Sequence, residues 1–240
     1  MTQEEKKLYD TIAERYDELF PLKEVRKEFL RGILGSPPRD VLDVGCATGE
    51  LVLWLSRTGH RVAGIDLNGE MIKAAQEKAR QRFSIVKFRE MNMLDVHKEF
   101  PVRTFDSVLC FGNTLAHLED TEVMTRFFTN VHDMIWDYGR IVLQVVNYDR
   151  ILAKNITELP DLETEHLLFQ RRYEYDKTSH RIRFLTTLTA KQDGAVLEKN
   201  DTTLYPITQK ELETGLTEAG FDTLEFYGDE SEATWTPDSM

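Results

Sequence analysis

Two carboxylates and two glycines between positions 43 and 66 carry the first chemistry legible in this chain. Asp43 stands in the apolar run Val41-Leu-Asp-Val44, Gly45 and Gly49 bracket a tight turn, and Asp66 ends a second apolar run 21 residues beyond Gly45. A glycine turn between a buried strand and a helix aims backbone N–H groups and the positive helix end at whatever lies over the strand's carboxyl end. Pyrophosphate fits this turn poorly. The dinucleotide fingerprint G-x-G-x-x-G, begun at Gly45, needs glycine at Ala47 and Glu50, and Glu50 sets a negative charge where the pyrophosphate must lie. Asp43 suits a ligand with a cationic amino group, which it would hold by a charge-assisted hydrogen bond. Asp66 lies close to the ~20-residue spacing at which a doubly wound fold presents an acid to a ribose, and one carboxylate can accept both ribose hydroxyls.

These residues need strands and helices to position them, and the hydrophobic pattern supplies both. Leu51, Val52 and Leu55 mark a helix that stops at Gly59; His60–Asp66 reads as the next strand; Asn68 caps a helix from Glu70 to about Arg82 that sets Met71, Ala75 and Ala79 on one face. Before them, residues 4–34 are helical, with Leu8, Ile12, Tyr16 and Leu19, then Val25, Phe29 and Ile33, broken at Pro21; Gly35–Arg39 is a turn. Strands follow at Ser84–Arg89 and Phe105–Phe111. Asp120 caps a helix with Val123, Phe127, Val131 and Met134 on one face, closed by Gly139. Arg140–Val146 reads as a strand buried on both faces.

From about His166 the period changes from 3.6 to 2. Leu167–Tyr175, Arg181–Lys191 and Val196–Tyr205, with turns at Lys177–Ser179 and Asp193-Gly194, predict three antiparallel strands. Thr208 and Glu211 form a capping box ahead of Leu212 and Leu216, Gly220 ends that helix, and Phe221–Tyr227 reads as a last strand. The pattern is that of one α/β domain over residues 1–240. It has an N-terminal helical cap (1–39), a Rossmann-like, doubly wound, mostly parallel core (40–150), an antiparallel β lid inserted after strand 5 (165–206), and a C-terminal helix and strand (207–227).

Composition narrows the partners. The 240 residues are 41% hydrophobic, enough for a sizeable core, and the formal net charge of -12 disfavours a polyanion or an anionic membrane face as partner. One candidate basic patch, Arg171, Arg172, Arg181 and Arg183, reads as solvated strand residues. Cys46 and Cys110 alone build neither a disulfide scaffold nor a zinc site. With no apolar run near ~18 residues, a soluble cytoplasmic protein is expected.

The string V-L-D-V-G-C-A-T-G resembles the first motif of class I S-adenosylmethionine-dependent methyltransferases, D/E-x-G-x-G-x-G, with Ala47 in place of the middle glycine. Tyr9, Tyr16 and Asp17 resemble the Y-D-x-x-A-x-x-Y-D opening of small-molecule members, whose N-terminal helices cap the cofactor. The resemblance implies S-adenosylmethionine as cofactor, held by Tyr16, Asp43, Gly45, Cys46, Ala47 and Gly49, with Asp66 and Leu67 at the ribose. It also places Asn92 and Met93 at the adenine, where Asn92 replaces the usual aspartate and offers a carbonyl oxygen, and it adds Phe111 at the end of the fourth strand.

Strand exits decide the acceptor in this family. Gly112-Asn-Thr114 lacks the [D/N/S]-P-P-[aromatic] clamp of the nucleic-acid amino-methyltransferases, whereas C-F-G-N-T-L-A-H-L and Asn147-Tyr148 resemble the glycine and sarcosine N-methyltransferase branch. The resemblance therefore implies a small polar acceptor, most simply an amine or amino-acid nitrogen, bound by Asn113, His117, Asn147 and Tyr148. His117 and Tyr148 are candidate proton-handling groups, though none is required. The β lid is expected to serve as a cover or a homodimer surface. Three rivals stay open: an oxygen acceptor, which needs a base, a cofactor-binding protein that transfers no methyl group, and an NAD-linked oxidoreductase.

Overall fold

A computed structural model describes residues 3–239 of the chain. In order, the elements are α1 (Gln3–Ile12), α2 (Tyr16–Leu19), α3 (Glu24–Leu34), β1 (Asp40–Val44), α4 (Glu50–Arg57), β2 (Arg61–Asp66), α5 (Gly69–Gln81), β3 (Lys87–Glu90), α6 (Val96–Glu99), β4 (Phe105–Cys110), α7 (Thr121–Met134) and β5 (Ile135–Leu143). Then come α8 (Tyr148–Lys154), β6 (Glu158–Glu163), β7 (Leu167–Asp176), β8 (Arg181–Ala190), β9 (Val196–Leu204) and α9 (Gln209–Glu218).

Strands β1 to β5 form one parallel sheet in the order β3-β2-β1-β4-β5. The order reverses between β1 and β4, so the glycine turn after β1 and the segment after β4 open side by side, where a doubly wound sheet binds ligands. Leu42, Val44 and Ile65 join Phe127, Phe128 and Val131 of α7 in one buried cluster. On the other face Val41 and Leu109 meet Leu30 and Leu34 of α3 and Leu51, Trp54 and Leu55 of α4. Each helix therefore buries its apolar stripe on the sheet and so fixes the strand ends that carry the site.

The turn itself leaves no room for side chains. At Gly45 (φ +74°) a Cβ would lie 2.6 Å from Thr114 Oγ1, and at Gly49 (φ +78°) 2.5 Å from Phe88 Cζ. Both positions need the left-handed region as well as the space.

Strands β6 to β9 form a second, antiparallel sheet in the order β6-β7-β8-β9. Its inner face packs at one end on α1, through Leu167, Phe169 and Leu188 against Leu8 and Ile12, and at the other on Ala116 and Tyr148, through Tyr173, Ile182 and Leu204. The sheet thus spans from the N-terminal helices to the segment leaving β4.

Five features depart from the sequence reading. The lid has four strands and starts at Glu158, ahead of the expected 165: β6 is an edge strand whose Pro160 and poor alternation hide it, since proline is tolerated only where no ladder hydrogen bond is lost. Gly139 does not close α7, which ends at Met134. It lies instead inside β5, where the pairing jumps from Phe105 opposite Ile135 to Ser107 opposite Arg140. A Cβ at Gly139 would meet Ile135 Cβ at 2.7 Å, so this glycine serves a bulge. Strand β5 is the sheet's edge and is only half-buried on its two faces, not enclosed.

No strand forms over 221–227, where an isolated bridge joins Tyr227 to Thr234. Phe221, Leu224 and Phe226 all pack on the core cluster beside α7, and their spacing of three and two cannot be met by a pleat of period 2. The first sheet therefore has five strands among the described residues. Fifth, Tyr148 is fully buried rather than presented at the strand ends.

Candidate active site

The β1 turn is wired to β2 through Asp66. Gly45 N–H and Cys46 N–H both donate to Ile65 O, at 2.8 and 2.9 Å, while Ala47 N–H donates to Asp66 Oδ2 at 2.8 Å and Asn68 N–H to Asp66 Oδ1 at 2.9 Å. Leu67 N–H is a third backbone donor to the Asp66 carboxylate, whose two oxygens together still keep acceptor capacity for a ligand. Ala47 takes φ +46°, a left-handed conformation that the family motif gives to glycine. The alanine keeps the family's backbone path at the cost of local strain.

Asp43 is 3% exposed, within strand β1 beside β2 and β4. Burial pushes its carboxyl up to about 7, opposed by the Arg26 guanidinium and reinforced by Asp66. Asp66 is also raised by burial, with the Asn68 and Ala47 N–H groups and His117 acting against the rise. The flanking thiols of Cys46 and Cys110 are raised by burial and by the field of Asp43, so both stay as thiols near neutral pH. Two buried acids on neighbouring strands gain from positive charge placed beside them.

The N-terminal helices pack beside these acids. Tyr16 is driven to a higher pKa first by burial, then by Tyr9, Asp66 and Asp17, with Arg26 opposing. Asn68 Nδ2 donates to Asp10 Oδ1 at 2.9 Å and Thr48 Oγ1 to Asp17 Oδ1 at 2.5 Å, and Lys78 pairs with Asp17. These polar latches join α1 and α2 to the cofactor turn and to α5.

Other expected cofactor residues lie around the same strand ends. Leu67 is 42% exposed beside Asp66; Phe111 is buried with the Arg26 guanidinium 4.7 Å from its ring centre. Met93 packs partly buried against the main core, and Asn92 Oδ1 accepts the Leu94 N–H at 3.0 Å, capping a short 3-10 turn. The carbonyl assigned to adenine is therefore already engaged locally, with one lone pair left.

The acceptor residues are placed differently from expectation. Asn113 (φ +65°) donates Nδ2–H to the Tyr148 hydroxyl at 2.8 Å and accepts Val146 N–H at 3.0 Å, tying the β4 exit to the β5 exit. The Tyr148 hydroxyl in turn bonds to Tyr173, and burial raises it well above the usual phenol range. Tyr148 is consumed by packing and two hydrogen bonds, which corrects its assignment to the mouth of the sheet. Asn147 caps α8 by accepting Arg150 N–H at 3.1 Å and donates Nδ2–H to Pro237 O and Ser239 O, at 3.1 and 2.9 Å. His117 ends the turn Thr114–His117 on the surface, near enough to Asp66 to lower its pKa.

Four side chains escaped the sequence reading. Arg26 lies mid-helix in α3, where its charge looks like an ordinary polar face; Glu230 comes from the C-terminal segment and bonds Arg26 Nε at 2.6 Å. Thr186 and Asn200 are 3% and 6% exposed on the inner face of the second sheet, and period-2 alternation alone marks them as inward.

The residues suit S-adenosylmethionine: Asp66 retains acceptors for a diol, and Asp43 offers a carboxylate to a cationic group. No His, Cys, Asp and Glu group of three or more, among the described residues, could hold a metal. No helix among them is long and apolar enough to cross a membrane.

Comparison with known proteins agrees. A family model described as a methyltransferase domain matches residues 41–139, which run from β1 into the bulge of β5. A putative methyltransferase of Geobacillus sp. (strain WCH70) is 26% identical over 199 residues, covering 79% of this chain and 76% of that protein. Glycine N-methyltransferase of Oryctolagus cuniculus is 32% identical over 140 residues, covering 53% of this chain; the match spans 48% of that protein, about half its length. The CcbJ methyltransferase of Streptomyces caelestis shares the fold, with a TM-score of 0.80 at 19% identity over 96% of this chain and 93% of its own. The matched stretch contains the glycine turn, Asp43 and Asp66: residues 41–139 form a methyltransferase domain, the chain shares the fold of S-adenosylmethionine-dependent methyltransferases, and these matches support an enzyme whose cofactor is S-adenosylmethionine.

Proposed function

We propose that this enzyme methylates the nitrogen of a small amine or amino acid. The observation that carries the reading is the Tyr148 hydroxyl between the β4 and β5 exits, which is shared between Asn113 and Tyr173 and so is not available to take a hydroxyl proton. When bound, the cofactor supplies an electrophilic methyl on a cationic sulfur. Asp43 and Asp66 would hold its amino group and ribose; the N-terminal helices exclude water; the segment 111–118 borders the acceptor side. A neutral amine brings its own lone pair, so the chain has only to align it and keep water out.

An oxygen acceptor requires a residue to take a hydroxyl proton. Tyr148 is unsuited to that task, because its hydroxyl is shared between Asn113 and Tyr173 behind buried side chains. The glycine N-methyltransferase relative supports the same direction.

The test is turnover against two matched panels, amines with amino acids and alcohols with phenols, read by S-adenosylhomocysteine release and product mass. Methylated nitrogen products are expected. Methylation confined to the oxygen panel, with a loss of about a hundredfold on His117→Ala, would replace this reading by the base-assisted one.

A further inference from the structure

The turn that leaves β4 is held from two sides. Leu115, Ala116 and Leu118 are buried, and His117 is the exposed side chain between them. On the cofactor side Thr114 fills the space that Gly45 leaves: a Cβ at Gly45 would lie 2.6 Å from Thr114 Oγ1, and that hydroxyl donates to Phe111 O at 2.7 Å. On the other side two groups of the second sheet reach across. Tyr205 N–H donates to Ala116 O at 2.8 Å, and Arg181 Nη2 donates to Glu119 O at 2.7 Å.

These two grips are neighbours. The pairing of Ile182 with Leu204 sets Arg181, at the start of β8, beside Tyr205, just past the end of β9. The guanidinium lies 5.0 Å from the Tyr205 ring centre, and its Nη1 donates to His180 O at 3.0 Å. Tyr205 is fixed in turn, since its hydroxyl donates to Glu211 Oε1 at 2.6 Å in the capping box of α9. A planar guanidinium stacked on a ring and shared between two carbonyls gives up little further freedom in holding either one. The carbonyls of Ala116 and Glu119 thus flank His117, and the lid holds both.

The turn Thr114–His117 is therefore a wedge between the cofactor turn and the second sheet, and it brings His117 near enough to Asp66 to act on that carboxyl. We infer that Arg181 is a positioning residue for methyl transfer: through the Glu119 carbonyl, and together with the Tyr205 N–H on Ala116, it fixes the acceptor-side segment against the cofactor turn. The inference rests on the placement of residues 111–118 at the acceptor side in the proposed function, and not on which atom is methylated. The lid then sets the reaction geometry as well as covering it.

The test replaces Arg181 by Met, which keeps an apolar stem and removes the donors, with Arg183→Met as control. Arg183 lies two residues along the same strand and pairs with Glu174 and Asp201 at the surface, so its loss removes the same charge without touching the β4 exit. The probe is the compound turned over fastest in the amine and alcohol panels. Arg181→Met should lower kcat/KM for it by about tenfold, about fivefold of that in KM, and leave the KM for S-adenosylmethionine within about twofold. An enzyme that is merely less stable loses kcat with its folded fraction and keeps both KM values. Arg181→Lys reaches one carbonyl but cannot stack and bridge as a guanidinium does; it should fall between, and it carries the test if the Met variant fails to fold. Independently of any acceptor, the His117 imidazole NMR signal of the enzyme saturated with S-adenosylhomocysteine should shift or broaden in Arg181→Met and stay in place in Arg183→Met.

An acceptor KM within about twofold of wild type in Arg181→Met, or an equal rise in Arg183→Met, would overturn the inference. So would an unmoved His117 signal in Arg181→Met, and that measurement decides alone if no panel compound is turned over. Oxygen products with a raised KM would remove the nitrogen reading and keep Arg181 in its role; nitrogen products with an unmoved KM would do the reverse.

Discussion

The Asn113 side chain bridges two strand exits, with its Nδ2 2.8 Å from the Tyr148 hydroxyl and its Oδ1 3.0 Å from Val146 N. Residues that looked like acceptor ligands are thus a brace beneath the site. Tyr148→Phe should cost about 1–2 kcal/mol of stability, from the lost hydrogen bonds of a buried hydroxyl, with kcat within about threefold of wild type. Urea unfolding and steady-state turnover measure the two quantities. A hundredfold loss of kcat at unchanged stability would restore Tyr148 to the chemistry.

The turn makes a second prediction through its backbone. Ala47 bears a left-handed φ of +46°, whereas Gly49, at +78°, has Phe88 Cζ 2.5 Å from where a Cβ would be. Ala47→Gly relieves strain but adds freedom to the unfolded chain, so a net gain of about 0.5 kcal/mol is expected. Gly49→Ala combines strain with a clash and should lose about 2 kcal/mol or more. Thermal unfolding of both variants decides between this account and one in which the turn adapts freely.

Much of the first sheet was legible because its signals are local. Asp43, the glycines and Asp66 sit at chain positions that any reader can count, and Asn68, Asp120 and Thr208 cap helices as their types predict. What stayed hidden depends on long-range partners. Nothing near Tyr148 in the chain says that Tyr173 will bury it, and Gly139 carries the same helix-stop signal whether it ends a helix or relieves a bulge. The four arginines of the second sheet looked alike in sequence. The fold separates them: Arg183 pairs with Glu174 and Asp201 and Arg172 with Glu158 at the surface, Arg181 lies over Tyr205, and Arg171 has a buried Nε.

Asp43 makes both stability and cofactor affinity depend on pH. Its carboxyl is pushed up to about 7 in the fold, against an ordinary value near 4, so between those pH values the folded protein holds a proton that the unfolded chain has released. Its contribution to stability is therefore full below about pH 4 and is lost as the pH rises through 7. Asp43→Asn should stabilise the ligand-free enzyme at pH 8 by about 1–3 kcal/mol while weakening S-adenosylmethionine binding. In the wild type, a cationic ligand prefers the ionised carboxylate, so affinity should be flat above pH 7 and fall by about tenfold per pH unit below it. Calorimetry across pH 5–9 checks the profile; a flat profile would place Asp43 outside the cofactor site.

The last prediction follows that proton to the C-terminal segment. Arg26 lies over Phe111, opposes the raised pKa of Asp43, and is itself paired with Glu230, whose Oε1 is 2.5 Å from Nη2. The segment carrying Glu230 is anchored independently, by Asn147 Nδ2 on Pro237 O and Ser239 O and by the Lys154–Asp238 pair. Glu230 thus neutralises part of the charge that would otherwise hold Asp43 ionised. Glu230→Gln keeps the shape and removes the anion, so the uncompensated Arg26 should bring the Asp43 pKa down and move the acid limb of cofactor binding to lower pH. Asn147→Ala serves as control, since it loosens the same segment without touching the charge pair, and its pH profile should stay near wild type. Carboxyl NMR titration of the ligand-free protein reads Asp43 directly. An unmoved midpoint in Glu230→Gln would mean that Arg26 is governed by its stacking on Phe111 and not by its acid partner.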